Sequence, residues 1–353
     1  TGSGWTDWLW ADHGYSGCDL RTPAGTWSST SGEPKEGLWA DYEFVDPGIY
    51  TVTGRHRGYD CSGIDITGGN VTLYVYIIKV EFSESSANSG FDGTEATPWL
   101  VVPTNNPPNT NTCKVTVTPS SMAGEIYFTV DNTNICTVSP SQAAGTPQTI
   151  TLTGVADGET TLHARLGSTS GPDYASLNVE VKTKKTVELD FHYVKDIADP
   201  PHATTRSPND LDTLIGQINA IWTPQANVVF TKGSVLADDT VQKDFGDAVT
   251  KLQQGMPGDD WYEIVALRNG DPPDIYCVFD LEDSIGACNG YFCAGDIMVR
   301  DAGIVRSFAH ELGHYLDVGP HDYQDEDRKN ELMYYTDGGG TKILHSQADD
   351  ANP

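Results

Sequence analysis

The chain has 353 residues, with 50 acidic against 21 basic side chains, and its formal net charge at pH 7 is -29. Such a charge repels nucleic acids and anionic membranes, which excludes DNA and RNA as expected partners, while the length favours two or three domains. No apolar run reaches the roughly 20 residues that a membrane-spanning helix needs.

Residues 1–82 have the pattern of a small all-β domain. Strand-like runs at 38–45, 49–55 and 71–82 are separated by turn signals rich in Gly, Pro and Asn. The segment also contains tryptophans that would either fill a core or stack on sugar rings, as in a carbohydrate-binding module. These tryptophans are Trp5, Trp8, Trp10, Trp27 and Trp39.

Residues 83–184 predict a linker followed by a β-sandwich. The stretch 83–112 is polar and rich in Pro and Asn, which favours a connection or an irregular start to the next domain. Strand-like runs then follow at 113–118, 125–130, 149–152, 160–166 and 175–181. In size and rhythm this segment resembles bacterial immunoglobulin-like modules, which implies a β-sandwich.

Residues 185–353 predict a mixed α/β domain. Strands are expected at 187–193, 227–231, 262–267, 275–281 and 296–300. Helices are expected at 209–222, where apolar residues recur every three or four positions, and at 302–316. The expected fold class is therefore a multidomain protein with two N-terminal all-β domains and a C-terminal α/β domain.

The second of these helices carries the motif His-Glu-Leu-Gly-His at 310–314. Residues four apart share a helix face, so His310 and His314 can point at one metal ion, while Glu311 can reach a metal-bound water. A catalytic zinc ion takes three protein ligands and keeps a fourth position for water. His321 is the expected third ligand, and Asp322 is the alternative.

The stretch from 310 to 321, followed by Leu-Met-Tyr-Tyr at 332–335, resembles the metzincin clan of zinc endopeptidases. The chain departs from the clan's motif, because Asp317 replaces a glycine and His321 comes one residue late. The resemblance implies a secreted zinc enzyme that cleaves peptide bonds, with Glu311 as the general base. It also implies that Met333 forms the floor of the metal site and that Tyr335 stabilises the oxyanion.

Substrate contacts follow from the same resemblance. The strand before the metal helix would be the edge of the cleft and would pair with the backbone of a protein, peptide or glycoprotein substrate. That strand consists of Asp296, Ile297, Met298, Val299 and Arg300. The competing hypothesis is an extracellular binding or adhesin-type protein with a structural or inactive metal site, and in either case we expect a monomer.

The cysteines indicate an exported, extracellular protein. All 7 fall in local groups, which favours disulfide bonds: Cys18 with Cys61, Cys113 with Cys136, and a last group of Cys277, Cys288 and Cys293. Within the last group we favour a bond between Cys288 and Cys293 with Cys277 buried, although the sequence leaves that pairing open.

An acidic cluster beside the metal motif offers oxygen ligands of the kind that Ca²⁺ prefers. It lacks the regular spacing of a calcium loop, so a solvated acidic turn is the favoured interpretation and a calcium site is the alternative. The cluster consists of Asp317, Asp322, Asp325, Glu326 and Asp327.

Overall fold

A computed structural model describes residues 46–51, 74–251, 259–268, 273–284, 286–319, 327–336 and 338–353, together with the backbone alone of residues 25–29, 32–37, 52–55, 70–73 and 326. The predictions for the N-terminal tryptophans, Cys18, Cys61, His321 and Asp322 therefore lie outside the residues whose side chains are described. Across the described ranges, strands clearly outnumber α-helices. No described helix is long and apolar enough to cross a membrane.

An antiparallel sheet of order β2-β1-β3-β4 begins the described chain. Its strands are β1 (Gly25–Ser29), β2 (Gly32–Gly37), β3 (Gly48–Arg55) and β4 (Asn70–Ile77). The strand expected at 49–55 is confirmed, but the single strand expected at 71–82 is wrong. The chain leaves the sheet at Ile78, whose side chain packs against the core of the next unit, and the boundary falls there.

The second unit, here called the sandwich, contains nine strands. They are β5 (Lys79–Glu84), β6 (Phe91–Asp92), β7 (Trp99–Thr104), β8 (Thr110–Thr118), β9 (Ile126–Val130), β10 (Cys136–Ser139), β11 (Gln148–Gly154), β12 (Gly158–Leu166) and β13 (Asp173–Thr183). One sheet has the order β10-β11-β8-β5 and the other β6-β7-β13-β12-β9, with β7 and β13 parallel.

The two sheets pack face to face because alternate residues of each strand are apolar. In β8, Cys113, Val115 and Val117 are buried, while the residues between them are more exposed. The predicted β-sandwich is confirmed. The linker expected at 83–112 is wrong, since that stretch supplies β6, β7 and the start of β8.

The third unit, here called the C-terminal unit, spans residues 185–353. Its elements are β14 (Lys185–Lys195), α1 (Leu211–Ala226), β15 (Val228–Thr240), β16 (Val249–Lys251), α2 (Trp261–Val265), β17 (Asp274–Val278), β18 (Leu281–Asp283), β19 (Gly290–Cys293), β20 (Asp296–Arg300), α3 (Val305–Tyr315) and α4 (His345–Ala351). The main sheet has the order β15-β14-β17-β20-β19, parallel except for β19, and β16 pairs with β18.

Each face of the main sheet has its own hydrophobic core. Helices α1 and α3 share one core with the sheet, and α2 shares the other. The strand expected at 262–267 is wrong, because Trp261 and Ile264 are both buried at the three-residue spacing of a helix. Just before α2 begins, the backbone N–H of Trp261 donates to the side-chain carboxylate of Asp259 at 2.9 Å, which closes a turn.

The sandwich and the C-terminal unit meet through buried amide side chains. Asn227, the left-handed residue that ends α1, donates from Nδ2 to the carbonyl oxygens of Thr104 (2.9 Å) and Lys182 (2.6 Å). Asn111 donates to the carbonyl of Pro224 at 3.1 Å. Each bond satisfies a carbonyl that is removed from water, so the two units are held in a specific relative position.

The described cysteines are all thiols, so the expected disulfide bonds are wrong for these residues. Strand β11 lies between the strands that carry Cys113 and Cys136. Two strand spacings alone separate such residues by roughly 9–10 Å, and the register, with Cys113 opposite Ile150 and Cys136 opposite Gly154 of β11, sets the two cysteines further apart, beyond the reach of a disulfide. Cys277 belongs to the core beneath α1 and α3, while Cys288 and Cys293 pack on the opposite face of the sheet. Burial raises the pKa of the Cys277 thiol to about 12.

Candidate metal and binding site

Helix α3 carries the histidine motif and is held by its apolar face. Phe308, Ala309 and Leu312 are fully buried in the core that α3 shares with α1. At its start, the backbone N–H of Ile304 donates to Ser307 Oγ at 3.2 Å, which satisfies one donor of the first turn. The opposite face of α3 presents the two histidines.

The two histidines lie side by side, as their spacing predicts. Their ring centroids are 4.9 Å apart and the ring planes are nearly perpendicular, at 87°. The Nδ1–H of His310 donates to the carbonyl of Leu332 at 2.8 Å, so Nε2 is the nitrogen that would bind the predicted metal. His310 is buried and His314 is half-buried, so a metal held between them would be reached from the side of His314.

The segment after residue 331 is fastened beneath this helix. Arg306, which is buried, donates through its guanidinium to the carbonyls of Leu332 (2.8 Å) and Gly340 (2.9 Å). Met333 packs directly under the helix, and a Cβ at Gly313 would lie 2.6 Å from its sulfur. Glycine at 313 is what permits this approach; the role of Met333 as the floor of a metal site stays a prediction.

The side chain of Glu311 extends from α3 toward β19, the outermost strand of the sheet. It is 8% exposed, and a Cβ at Gly290 of β19 would lie 2.8 Å from its side chain. Phe292, also on β19, has its ring centroid 6.2 Å from that of His314. The helix that carries the motif is therefore lined on one side by β19.

The strand expected to bind substrate is not an edge strand. Asp296–Arg300 forms β20, which pairs with β17 on one side and with β19 on the other. Asp296, Ile297, Met298 and Val299 are buried, and the Asp296 carboxylate pairs with Arg268. Both hydrogen-bonding edges of this strand are used, so the expectation that it pairs with a peptide is wrong; β19 holds the edge position.

The remaining expected site residues are only partly assembled. Tyr335 is 46% exposed and its ring lies 5.1 Å from that of buried Tyr334. The third metal ligand, whether His321 or Asp322, falls outside the described residues. The calcium cluster is incomplete for the same reason, with only the exposed side chains of Asp317 and Asp327 described. These roles stay predictions.

A second cluster, built around the single histidine His345, is not predicted by the sequence. His345 at the start of α4 contacts Glu180 of the sandwich at 3.0 Å and stacks on Trp99 with 3.7 Å between ring centroids. The three residues are far apart in the chain and follow no motif, so no spacing could have indicated them.

No protein-family model and no curated protein matches the chain. Among solved structures, domains 4 and 5 of the S-layer protein SbsC are 20% identical, over 44% of this chain and 70% of that chain, with a TM-score of 0.21. A 282-residue intimin fragment, solved with the intimin-binding domain of its receptor, is 15% identical over 44% of this chain and half of that one, with a TM-score of 0.25.

A longer S-layer structure, SbsC residues 31–844, is 17% identical to the chain. The match covers 51% of this chain and 23% of that one, and the TM-score is 0.22. The chain thus spans under a quarter of that longer protein.

These findings correct the metzincin expectation. Among the described residues strands clearly outnumber helices, and the fold class expected for the whole chain is corrected accordingly. The matches reported above are S-layer and intimin domains; the metzincin resemblance, the enzyme assignment and the associated protease expectations find no support in them and are not kept. The ligand roles of the motif residues are untouched by this correction and stay predictions.

Proposed function

We propose that the chain is an extracellular binding protein that takes an extended segment of a partner polypeptide along β19. The observation that carries the proposal is the position of β19 at the outer edge of the main sheet, paired with β20 on one side alone within the described residues. An edge strand presents a row of backbone donors and acceptors on which a second chain can add as a further strand.

The ladder defines which groups of β19 face outward. The N–H of Arg300 donates to the carbonyl of Asn289 at 3.2 Å, so this pair is hydrogen-bonded, and bonded pairs alternate with unbonded ones in an antiparallel ladder. Gly290 and Phe292 are therefore the positions whose backbone groups point away from β20. All four residues of β19 are half-buried, so the edge is accessible.

A zinc ion held by His310 and His314 belongs to this proposal as a structural element. The donor set suits zinc, because two imidazoles lie together and the Nδ1 of His310 is already fixed by Leu332. An ion that also took the predicted third ligand His321 would tie α3 to the chain beyond it and so stiffen the wall beside β19. The net charge of -29 supports an extracellular location in a saline medium.

The experiment measures the binding of unfolded casein to the full chain by biolayer interferometry. Phe292→Pro removes an outward N–H of β19, whereas its matched control Phe292→Ala removes the same ring and keeps the N–H. We expect the Pro variant to bind casein at least tenfold more weakly than the Ala variant. The casein should be recovered intact after incubation with the wild type.

Two outcomes would contradict the proposal. Equal binding by the Pro and Ala variants would show that the backbone of β19 is not the contact. Cleavage of casein by the zinc-loaded wild type would show that the chain is not a binding protein alone.

A further inference from the structure

His345 lies at the boundary between the sandwich and the C-terminal unit and is anchored to the sandwich. Its backbone N–H donates to Asp92 of β6 at 2.9 Å. Its ring stacks on Trp99 of β7, with an interplanar angle of 13°. Neither contact needs a charged imidazole, so the ring is held in one orientation whatever its protonation state.

Two carboxylates, one from each unit, face the Nε2 atom of this ring. Glu180 Oε2 of β13 lies 3.0 Å away, and Asp349 Oδ2, one turn along α4, lies 3.8 Å away. The side chains of His345 and Glu180 are only 10% and 13% exposed, so water screens their interaction weakly.

The other charged groups around the ring are also fixed. Lys182 of β13 bonds to the second oxygen of each carboxylate, at 2.6 Å for Glu180 and 2.8 Å for Asp349. Asp92 of β6 receives the backbone N–H of the histidine and is attracted by Lys342, which precedes α4. With neutral His345 these five groups carry three negative and two positive charges, so a proton on the imidazole balances the cluster.

We infer that His345 is a pH-dependent latch between the sandwich and the C-terminal unit. As an imidazolium it donates a charge-assisted hydrogen bond from Nε2 to Glu180 across the boundary and attracts Asp349 within its own helix. Loss of one proton leaves a neutral ring, which keeps the stacking on Trp99 and loses the charge attraction to both carboxylates.

The direction of the pH effect follows from the surroundings. Burial by itself would lower the pKa of His345, but the hydrogen bond with Glu180 and the charges of Asp349 and Glu180 hold the pKa above its ordinary value. A histidine whose pKa is raised in the folded state stabilises that state fully below the unfolded value of about 6.5. The stabilisation is lost as the pH rises through the raised folded value.

Asp349 and Asp92 do not change charge in the pH range in which the imidazole of His345 titrates. Despite burial, the pKa of Asp349 is lowered by the hydrogen bond and the charge of Lys182, and the pKa of Asp92 is lowered by its backbone bonds to His345 and Thr94. Both therefore stay ionised where the imidazole titrates.

The test measures hydrogen exchange of the backbone amides at this boundary in the full chain, at pH 6 and pH 9. The rates are corrected for the intrinsic exchange rates. Protection of the His345 amide should fall in the wild type by about tenfold for each unit by which the folded pKa exceeds the ordinary value. In His345→Gln, which has no ionisable ring, protection should not depend on pH. His163→Gln is the matched control, because His163 also contacts two carboxylates but lies within the sandwich alone.

A second measurement covers the case in which His345→Gln does not fold. The imidazole of His345 is titrated by NMR with ¹³C-labelled histidine in the wild type and in Glu180→Gln. The pKa should lie above 6.5 in the wild type and should fall in the variant. A wild-type pKa at or below 6.5, or equal protection of the wild type at the two pH values, would overturn the inference.

Discussion

At the scale of single residues, one hydrogen bond determines what the histidine motif can bind. Because His310 donates from Nδ1 to the carbonyl of Leu332, Nε2 is the nitrogen that would bind an ion shared with His314. Arg306 donates to the same carbonyl, so the acceptor that orients His310 is itself held in place. The pair is preorganised by the chain on which it packs.

We therefore predict that the wild type binds zinc through this pair and that His310→Ala weakens the binding at least tenfold. Competition with a chromophoric chelator measures the affinity. His163→Ala serves as the control, since it removes an imidazole of the sandwich that has no part in the proposed site, and it should bind zinc like the wild type. An unchanged affinity in His310→Ala would refute the ligand assignment.

The residue scale also shows what the sequence could and could not predict at this site. The four-residue spacing of His310 and His314 specifies a shared helix face, and the structure has the two rings together. The contact of His310 with Leu332 joins residues 22 apart, and that of Glu311 with Gly290 depends on a strand order set by the whole sheet. Such contacts arise from tertiary packing, and no local pattern encodes them.

At the scale of elements, α1 is tied to the sandwich through its last residue. Asn227 ends α1 with φ of 50°, a left-handed conformation that asparagine tolerates better than most residues. The same side chain is fully buried and bonds to carbonyls of β7 and β13. One residue thus terminates a helix and fastens two units.

Asn227→Ala should destabilise the chain by about 2–4 kcal/mol, since it leaves two buried carbonyls unsatisfied and strains a positive φ. Asn227→Gly loses the same hydrogen bonds without that strain, so it should be more stable than Asn227→Ala by about 1 kcal/mol. Urea unfolding followed by tryptophan fluorescence measures both. If the two variants were equally stable, or if neither differed from the wild type, the double role of Asn227 would be disproved.

Strand and helix predictions failed at this scale where tertiary context decided. Trp261–Val265 is rich in residues that favour strands, yet it forms α2 because Trp261 and Ile264 both enter one core. Strand 71–82 was expected as one element, since its apolar residues are continuous, but Ile78 belongs to a different core from β4. The sequence does not say to which sheet each half of such a run belongs.

At the scale of the whole molecule, buried polar contacts join the sandwich to the C-terminal unit. The regular alternation of residues 113–181 was sufficient to predict the sandwich, because each strand buries one face. The order of strands in the C-terminal unit could not be predicted, and this order decides which strand is exposed. It places β20 inside the sheet and β19 at its edge. The peptide contact that the sequence predicts at β20 is therefore proposed at the neighbouring strand, β19.

The measurement that tests the proposed function most directly is hydrogen exchange along β19 in the zinc-loaded full chain, with and without saturating unfolded casein. A polypeptide that adds to the edge must accept hydrogen bonds from the outward amides, so exchange at Gly290 and Phe292 should slow at least tenfold, while the buried amides of β20 should change little. Unchanged exchange at both positions while casein is bound would place the contact elsewhere and contradict the proposal.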